Sequence, residues 1–124
     1  MVQEDKELIL KDLCARLPYN CRVFYEYVDD LDGKTYGYSL TLNTWCIDEL
    51  EAKKATIKPY LRPMSSMTEE EKNEYFGRTM TIDIVQTSKE VIDWLNAHYF
   101  DYRGLIERGL AIEITEENNP YASN

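Results

Sequence analysis

One histidine, His98, and three cysteines, Cys14, Cys21 and Cys46, are the only imidazole and thiol groups in the chain. No two cysteines form a C-x-x-C pair and their number is odd, so neither zinc-ligand spacing nor a disulfide framework is present. That usage fits a reducing compartment. The five glycines are scattered singly, so there is no glycine-rich phosphate loop. No apolar run reaches the roughly 18 residues of a membrane helix, and no charged-then-apolar leader opens the chain. The expectation is a cytoplasmic protein without membrane contact. Basic residues are also scarce, 14 against 23 acidic ones, for a net charge of −9. Such a surface repels phosphate backbones and anionic lipid, so no direct nucleic-acid binding is expected.

What remains is a chain of 124 residues with 44% hydrophobic content and ten tyrosines. That length predicts one domain, 1–124, able to bury a core without covalent staples. No repeat or linker divides it. The segment from Thr115, TEENNPYASN, is polar and reads as a flexible tail over 115–124.

The clearest local signals lie between Thr87 and Ile114. Thr87 followed by Glu90 has the spacing of a capping box, which predicts a helix from Ser88 to about His98. Val91, Ile92, Leu95 and Tyr99 form its apolar stripe, with Lys89, Glu90, Asp93, Asn96 and Ala97 on the other side. Phe100, Asp101 and Tyr102 read as a corner, followed by a short helix over Arg103–Arg108 with Asp101 as its N-cap. Gly109 suits the left-handed residue that stops a helix. Leu110, Ile112 and Ile114 alternate with Ala111 and Glu113, a short strand. The two helices resemble a helix-turn-helix, but Arg103 and Arg108 against Glu107 are too few cations to grip phosphates.

Upstream, Glu4–Leu17 is an amphipathic helix on Ile9, Leu13 and Leu17, flanked by Leu10 and Cys14. Its acids sit in the first turn, Arg16 sits in the last, and Pro18 ends it. Arg22–Val28 is a β-branched and aromatic strand, and Asp29–Gly33 is a turn. Thr35–Leu42 alternates, with Tyr36, Tyr38, Leu40 and Leu42 facing one way, so a hairpin is predicted. Trp45–Leu50 reads ambiguously as a third strand. Ala55–Tyr60 is a fourth, restricted by Pro59 to an edge or an end. Leu61–Met67 reads as a surface loop. Thr68 and Glu71 form a second capping box, opening a helix over Glu69–Phe76 that Gly77 ends. Thr79–Val85 alternates as a strand.

Two segments, KPYLRPMSSMTEEE (Lys58–Glu71) and DWLNAHYFDYRGLIERGL (Asp93–Leu110), resemble a group of short proteins of gut Bacteroidetes and their phages and mobile elements. LKDLCARLPY (Leu10–Tyr19) fits the same group. The resemblance implies a setting and no activity. Tyr99 stands where that resemblance would place a second His, which weakens any metal reading.

Several chemistries fail on spacing. DDLDG, Asp29–Gly33, lacks the acids and the twelfth-position Glu of a calcium loop, since Val28 and Ser39 occupy the decisive places. Cys21 with His98 as base would need the two to converge in space. Cys14 and Cys46 read as small core residues. The acids of TEEEKNE read as a solvated helix face. Lys53, Lys54, Lys58 and Arg62 form a small basic group that pairs with the acids of DELE or with a partner.

The expected fold class is α+β: a small, mostly antiparallel sheet, or alternatively an SH3-like barrel, packed with an N-terminal helix and a C-terminal helical pair. The expected function is that of a non-enzymatic accessory module binding a protein partner. A patch of His98, Tyr99, Asp101, Tyr102 and Arg103 is its candidate recognition site, because Tyr and Arg are common anchors. No catalytic residue, metal or cofactor is assigned. An acidic mimic of nucleic acid and an enzyme with an unrecognised site are the alternatives. The number of tyrosines also admits a homodimer through an edge strand.

Overall fold

The computed structural model describes residues 2–52, 55–79 and 84–121. The first helix, α1 (Gln3–Arg16), carries Glu4 and Asp5 in its first turn and Arg16 in its last, so charge opposes the dipole at both ends. Pro18 converts the next turn to a 3-10 helix over Leu17–Tyr19, and Asn20 at φ 55° turns the chain into the sheet. The buried face of α1 is Ile9, Asp12, Leu13 and Arg16, spaced i, i+3, i+4 and i+7. Half of that stripe is charged, which an apolar periodicity cannot register. Cys14, expected in the core, is exposed, while Cys21 and Cys46 are buried.

Strands β1 (Arg22–Val28) and β2 (Thr35–Thr41) form the predicted hairpin, with Tyr25 opposite Tyr38 and Tyr27 opposite Tyr36. Asp29 Oδ1 accepts the Leu31 N–H, and Gly33 takes φ 69° to close the turn. Trp45–Leu50 is helical rather than extended. Asn43 Oδ1 accepts the Cys46 N–H at 3.1 Å and caps α2 (Thr44–Glu51), which buries Cys46, Ile47 and Leu50.

Strand β3 (Thr56–Pro63) is the centre of the sheet, not an edge. It runs antiparallel to β1 from Thr56 to Pro59, then parallel to β5 (Ile112–Glu113) at Tyr60–Leu61 and to β4 (Phe100–Asp101) at Arg62–Pro63. Pro59 is tolerated because it occupies the last rung of the β1 ladder. The expected loop over Leu61–Met67 is therefore strand as far as Pro63, and Leu61 is fully buried. The sheet of five strands, with path β2-β1-β3-β4 and β5 beside β3, is mixed, mostly antiparallel and open. The SH3-like barrel does not form, since β2 and β4 stand at opposite ends of that path.

One sheet face carries the core. Val23, Tyr25, Ile57 and Leu61 pack with Ile9 and Leu13 of α1 and with Cys46, Ile47 and Leu50 of α2. On the opposite face the Phe24 ring lies over Gly37, where an added Cβ would come within 2.5 Å of it.

Helix α3 (Glu69–Thr79) starts at the predicted capping box. Thr68 Oγ1 accepts the Glu71 N–H at 3.1 Å, and Glu71 Oε1 accepts the Thr68 N–H at 2.9 Å. It passes through Gly77 instead of stopping there. Helix α4 (Ile84–Ala97) begins before Thr87, so the Thr87/Glu90 pattern lies inside the helix and does not open it. The strand expected over Thr79–Val85 is helical at both ends, and residues 80–83 lie outside the described residues. Trp94, Leu95 and Phe100 make a second small core with Met64, Met67, Tyr75 and Val91. Within α4, Asn96 is buried and Ile92 is 39% exposed, the reverse of the predicted sides.

No second helix follows the corner. Residues 105–109 form a hydrogen-bonded turn, so the C-terminal helical pair is a single helix plus this turn. Asp101 still caps it, its carboxylate accepting the Leu105 and Ile106 N–H groups at 2.9 Å each. Gly109, at φ 73°, ends it as predicted. Leu110 N–H reaches Leu105 O and Gly109 N–H reaches Ile106 O, the double bond pattern of a Schellman stop.

Candidate functional site

Tyr99 takes φ 62°, and this left-handed step turns α4 into β4. The five residues of the predicted recognition patch follow from that corner, and each makes at least one side-chain hydrogen bond within the chain. His98 Nδ1 lies 2.8 Å from the Trp94 carbonyl, which makes that nitrogen the donor, and its ring lies against Trp94. Tyr99 donates to the Tyr19 carbonyl at 2.7 Å and stacks on Tyr121 with ring centres 3.8 Å apart. Asp101 caps the turn described above.

Tyr102 and Arg103 belong to a buried network. Arg103 Nη1 donates to Asp12 Oδ1 at 2.7 Å and to the Tyr102 hydroxyl at 2.8 Å, and Tyr102 donates to Asn96 Oδ1. The other oxygen of Asp12 accepts Arg16 Nε at 2.9 Å, and Arg16 Nη2 donates to Phe100 O at 2.6 Å. Asp12 and Arg16 are both fully buried. Two cations share one carboxylate, and Tyr102 offers its ring face to both guanidinium groups. The network ties α1 to the start of β4 and to the turn after it. The structure thus brings His98, Tyr99, Asp101, Tyr102 and Arg103 together as a bracing corner.

Arg62, expected in a small basic group with Lys53, Lys54 and Lys58, lies over the Phe100 ring and forms a two-pronged bridge to Glu71, both bonds 2.7 Å. Lys53 and Lys54 lie outside the described residues. The Arg62 hydrogen bonds hold the Glu71 carboxyl far below its usual range, at about 2. Cys21 and His98 have different bonding partners: Cys21 meets Tyr121 and the Arg22 carbonyl, His98 meets Trp94. Burial pushes the Cys21 thiol up to about 11, which keeps it protonated and unreactive near neutrality. Among the described residues, no three of His, Cys, Asp and Glu gather to hold a metal ion.

The segment expected as a tail is anchored as far as Tyr121. Its hydroxyl accepts the Arg22 N–H at 2.7 Å and lies 3.0 Å from the Tyr60 carbonyl, joining the β1 and β3 backbones from outside.

A surface with exposed aromatic area lies elsewhere, on the β1–β2 hairpin and the start of α2. Tyr25 is buried and contacts Tyr27, Tyr38 and Trp45 with ring centres 5.6, 5.3 and 4.9 Å apart, and Tyr27 meets Tyr36 at 6.0 Å. Tyr36, Tyr38 and Trp45 are 42, 45 and 44% exposed, so the outer half of one continuous aromatic surface faces solvent. Leu31 at the hairpin tip is almost wholly exposed. Carboxylates hold the hydroxyls: Glu49 accepts from Tyr25 at 3.1 Å, and Asp32 accepts from Tyr36. Burial and the Glu49 bond together push the Tyr25 hydroxyl up to about 12. A hollow of about 690 Å³ opens at the far end of β1, lined by Tyr25, Tyr27, Glu26 and Asp30 among others. The sequence signal for this face was the even-numbered tyrosine alternation of Thr35–Leu42. It marked a sheet face without telling whether a helix covers it.

No protein-family model, curated protein or solved structure matches this chain.

Proposed function

We propose that the chain is a non-enzymatic protein-binding module, acting in the accessory setting that the segment resemblance implies, and that it binds through the aromatic face of the β1–β2 hairpin and α2. The carrying observation is the exposure of Tyr36, Tyr38 and Trp45 in ring contact with the buried Tyr25 and the half-buried Tyr27. Aromatic anchors that are rigid on one side and wet on the other gain most from being covered by a partner. The His98–Arg103 corner serves as scaffold in this reading, since each of its five side chains makes at least one hydrogen bond within the chain.

The reading is favoured over an acidic nucleic-acid mimic by where the carboxylates go. Asp5, Asp12, Glu49, Glu71, Glu74 and Asp101 are engaged in bonds that brace the fold. Phosphate mimicry needs such groups free and in rows.

A photo-crosslinking residue at Tyr38 tests it, with the same residue at the exposed Glu70 of α3 as control. Discrete protein adducts are expected from position 38 alone, and Trp45→Ala should abolish them while leaving the melting temperature within a few degrees. Matching adducts from both positions would refute the assignment of this face.

A further inference from the structure

Two hydrogen bonds at opposite ends of the hairpin fix where each β2 amide points. Leu42 N–H donates to Cys21 O at 2.8 Å, and Asp29 N–H donates to Lys34 O at 2.8 Å. Antiparallel ladders alternate between bonded and non-bonded rungs. With Val23 opposite Leu40, Tyr25 opposite Tyr38 and Tyr27 opposite Tyr36, counting inward from either end gives the same result. Leu40, Tyr38 and Tyr36 bond to β1. Thr41, Ser39, Gly37 and Thr35 turn their N–H and C=O groups outward.

β2 is the end strand of the sheet path, and among the described residues no strand pairs with its outer side. Natural edges are blunted by Pro, by charged side chains, by bulges or by brevity. The β2 sequence TYGYSLT is seven residues long and contains neither Pro nor charge, and its register runs without a bulge from Thr35 to Thr41. This is an edge left able to pair.

The side chains around it indicate what pairs there. Tyr36 and Tyr38 stand two residues apart on one face, beside Trp45, so their spacing of roughly 7 Å matches alternate side chains of an incoming strand. Between residues 26 and 51 the sequence carries seven acids, Glu26, Asp29, Asp30, Asp32, Asp48, Glu49 and Glu51, against one base, Lys34; Arg22 of β1 adds a second cation at the Thr41 end alone, where its Nη1 donates to Thr41 Oγ1 at 3.0 Å. A second copy would bring the same negative charge to the same edge, within a chain of net charge −9. Aromatic faces rimmed by carboxylates suit cations.

We infer that the β2 edge accepts an extended, cationic peptide segment as an additional strand. Its backbone pairs with Thr35, Gly37, Ser39 and Thr41, and its alternate Lys or Arg side chains lie over Tyr36, Tyr38 and Trp45. The inference rests on the reading of this face as the binding surface and adds the mode of binding and the chemistry of the partner.

The test uses fluorescein-labelled decapeptides of alternating Arg and Thr, of alternating Glu and Thr, and of the Arg–Thr sequence N-methylated at alternate residues. Fluorescence anisotropy against the full chain at low salt reads their binding. The Arg–Thr peptide is expected to bind at least tenfold tighter than the Glu–Thr peptide and at least tenfold tighter than its N-methylated form. Ser39→Pro should weaken it about tenfold, because it removes an outward N–H and Pro is accepted on an open edge. The N-methylated peptide gives the same reading without altering the protein. Amide exchange at Gly37, Ser39 and Thr41 should slow in the complex. Three results would overturn the inference: no binding of the Arg–Thr peptide, equal binding of the Glu–Thr or N-methylated peptide, or a micromolar homodimer that Ser39→Pro dissolves. If crosslinks from position 38 depend on Trp45 while N-methylation has no effect on peptide binding, strand addition fails and the binding face stands.

Discussion

Asp12→Asn is the sharpest perturbation of the scaffold. It keeps the size of the side chain and removes the one carboxylate between Arg16 and Arg103. Arg16 is fully buried and its Nη1 has no protein partner, so it cannot recover hydration when the counter-charge goes. Removing one member of a buried ion pair costs about 3–5 kcal/mol, largely from the charge left uncompensated. At about 4 °C per kcal/mol for a chain of this size, the melting temperature should fall by about 12–20 °C. In Arg103→Met the buried Asp12 keeps Arg16 as its partner, so no charge is left uncompensated and the change should cost only about 1–2 kcal/mol. Urea unfolding followed by circular dichroism, with thermal melts of both variants, measures the order. If Asp12→Asn melts within about 3 °C of the parent, or Arg103→Met proves the more damaging change, the network is not the brace described here. Neither substitution touches the hairpin, so crosslinking from position 38 should persist wherever the variant is folded.

Other perturbations separate local from tertiary causes. The folded Glu71 carboxyl lies at about 2 against an ordinary 4.5, so the Arg62 bridge contributes fully above about pH 4.5 and its contribution is lost as pH falls through about 2. After discounting for solvent screening that contribution is about 1–2 kcal/mol, and Glu71→Gln should remove that part of the acid sensitivity when unfolding is compared at pH 6 and pH 3. Gly77→Ala should stabilise α3 by up to about 1 kcal/mol, because the site is helical and open. Gly109→Ala should destabilise by about 1 kcal/mol, because its φ of 73° is strained for any side chain. Thermal melts of the two alanine variants must move in opposite directions. Tyr121→Phe should cost about 1–3 kcal/mol and speed amide exchange at Arg22, whose N–H loses its acceptor.

Where hydrogen bonds close within a few residues, the chain was legible. Thr68 with Glu71 and Gly109 behave as their types require. The same pattern at Thr87 and Glu90 misled, because α4 already runs from Ile84. A capping box is a competent start only where the preceding residues do not continue the helix. Trp45–Leu50 carries a helix signal as well: Asn43 is a good cap, and Cys46, Ile47 and Leu50 fall on one helical face. Six residues containing Trp and Ile satisfy a strand template nearly as well. Of the residues proposed as a recognition patch, the aromatic and charged types were visible, but their partners were not. Asp12 reaches Arg103 from 91 positions away, and Arg16 reaches the Phe100 carbonyl from 84.

The sequence by itself determined the α+β class, the hairpin and its turn, the α3 cap and the Gly109 stop, because each depends on bonds and steric limits local to a short stretch. Only the tertiary structure decided which tyrosines are core and which are surface. Tyr25 and Tyr38 are paired and follow the same alternation, yet one is buried and the other half exposed. β1 has a strand on either side and α2 above it, whereas among the described residues β2 has a neighbouring strand on one side alone. Burial is a property of what packs against a residue, and that is set by elements far away along the chain.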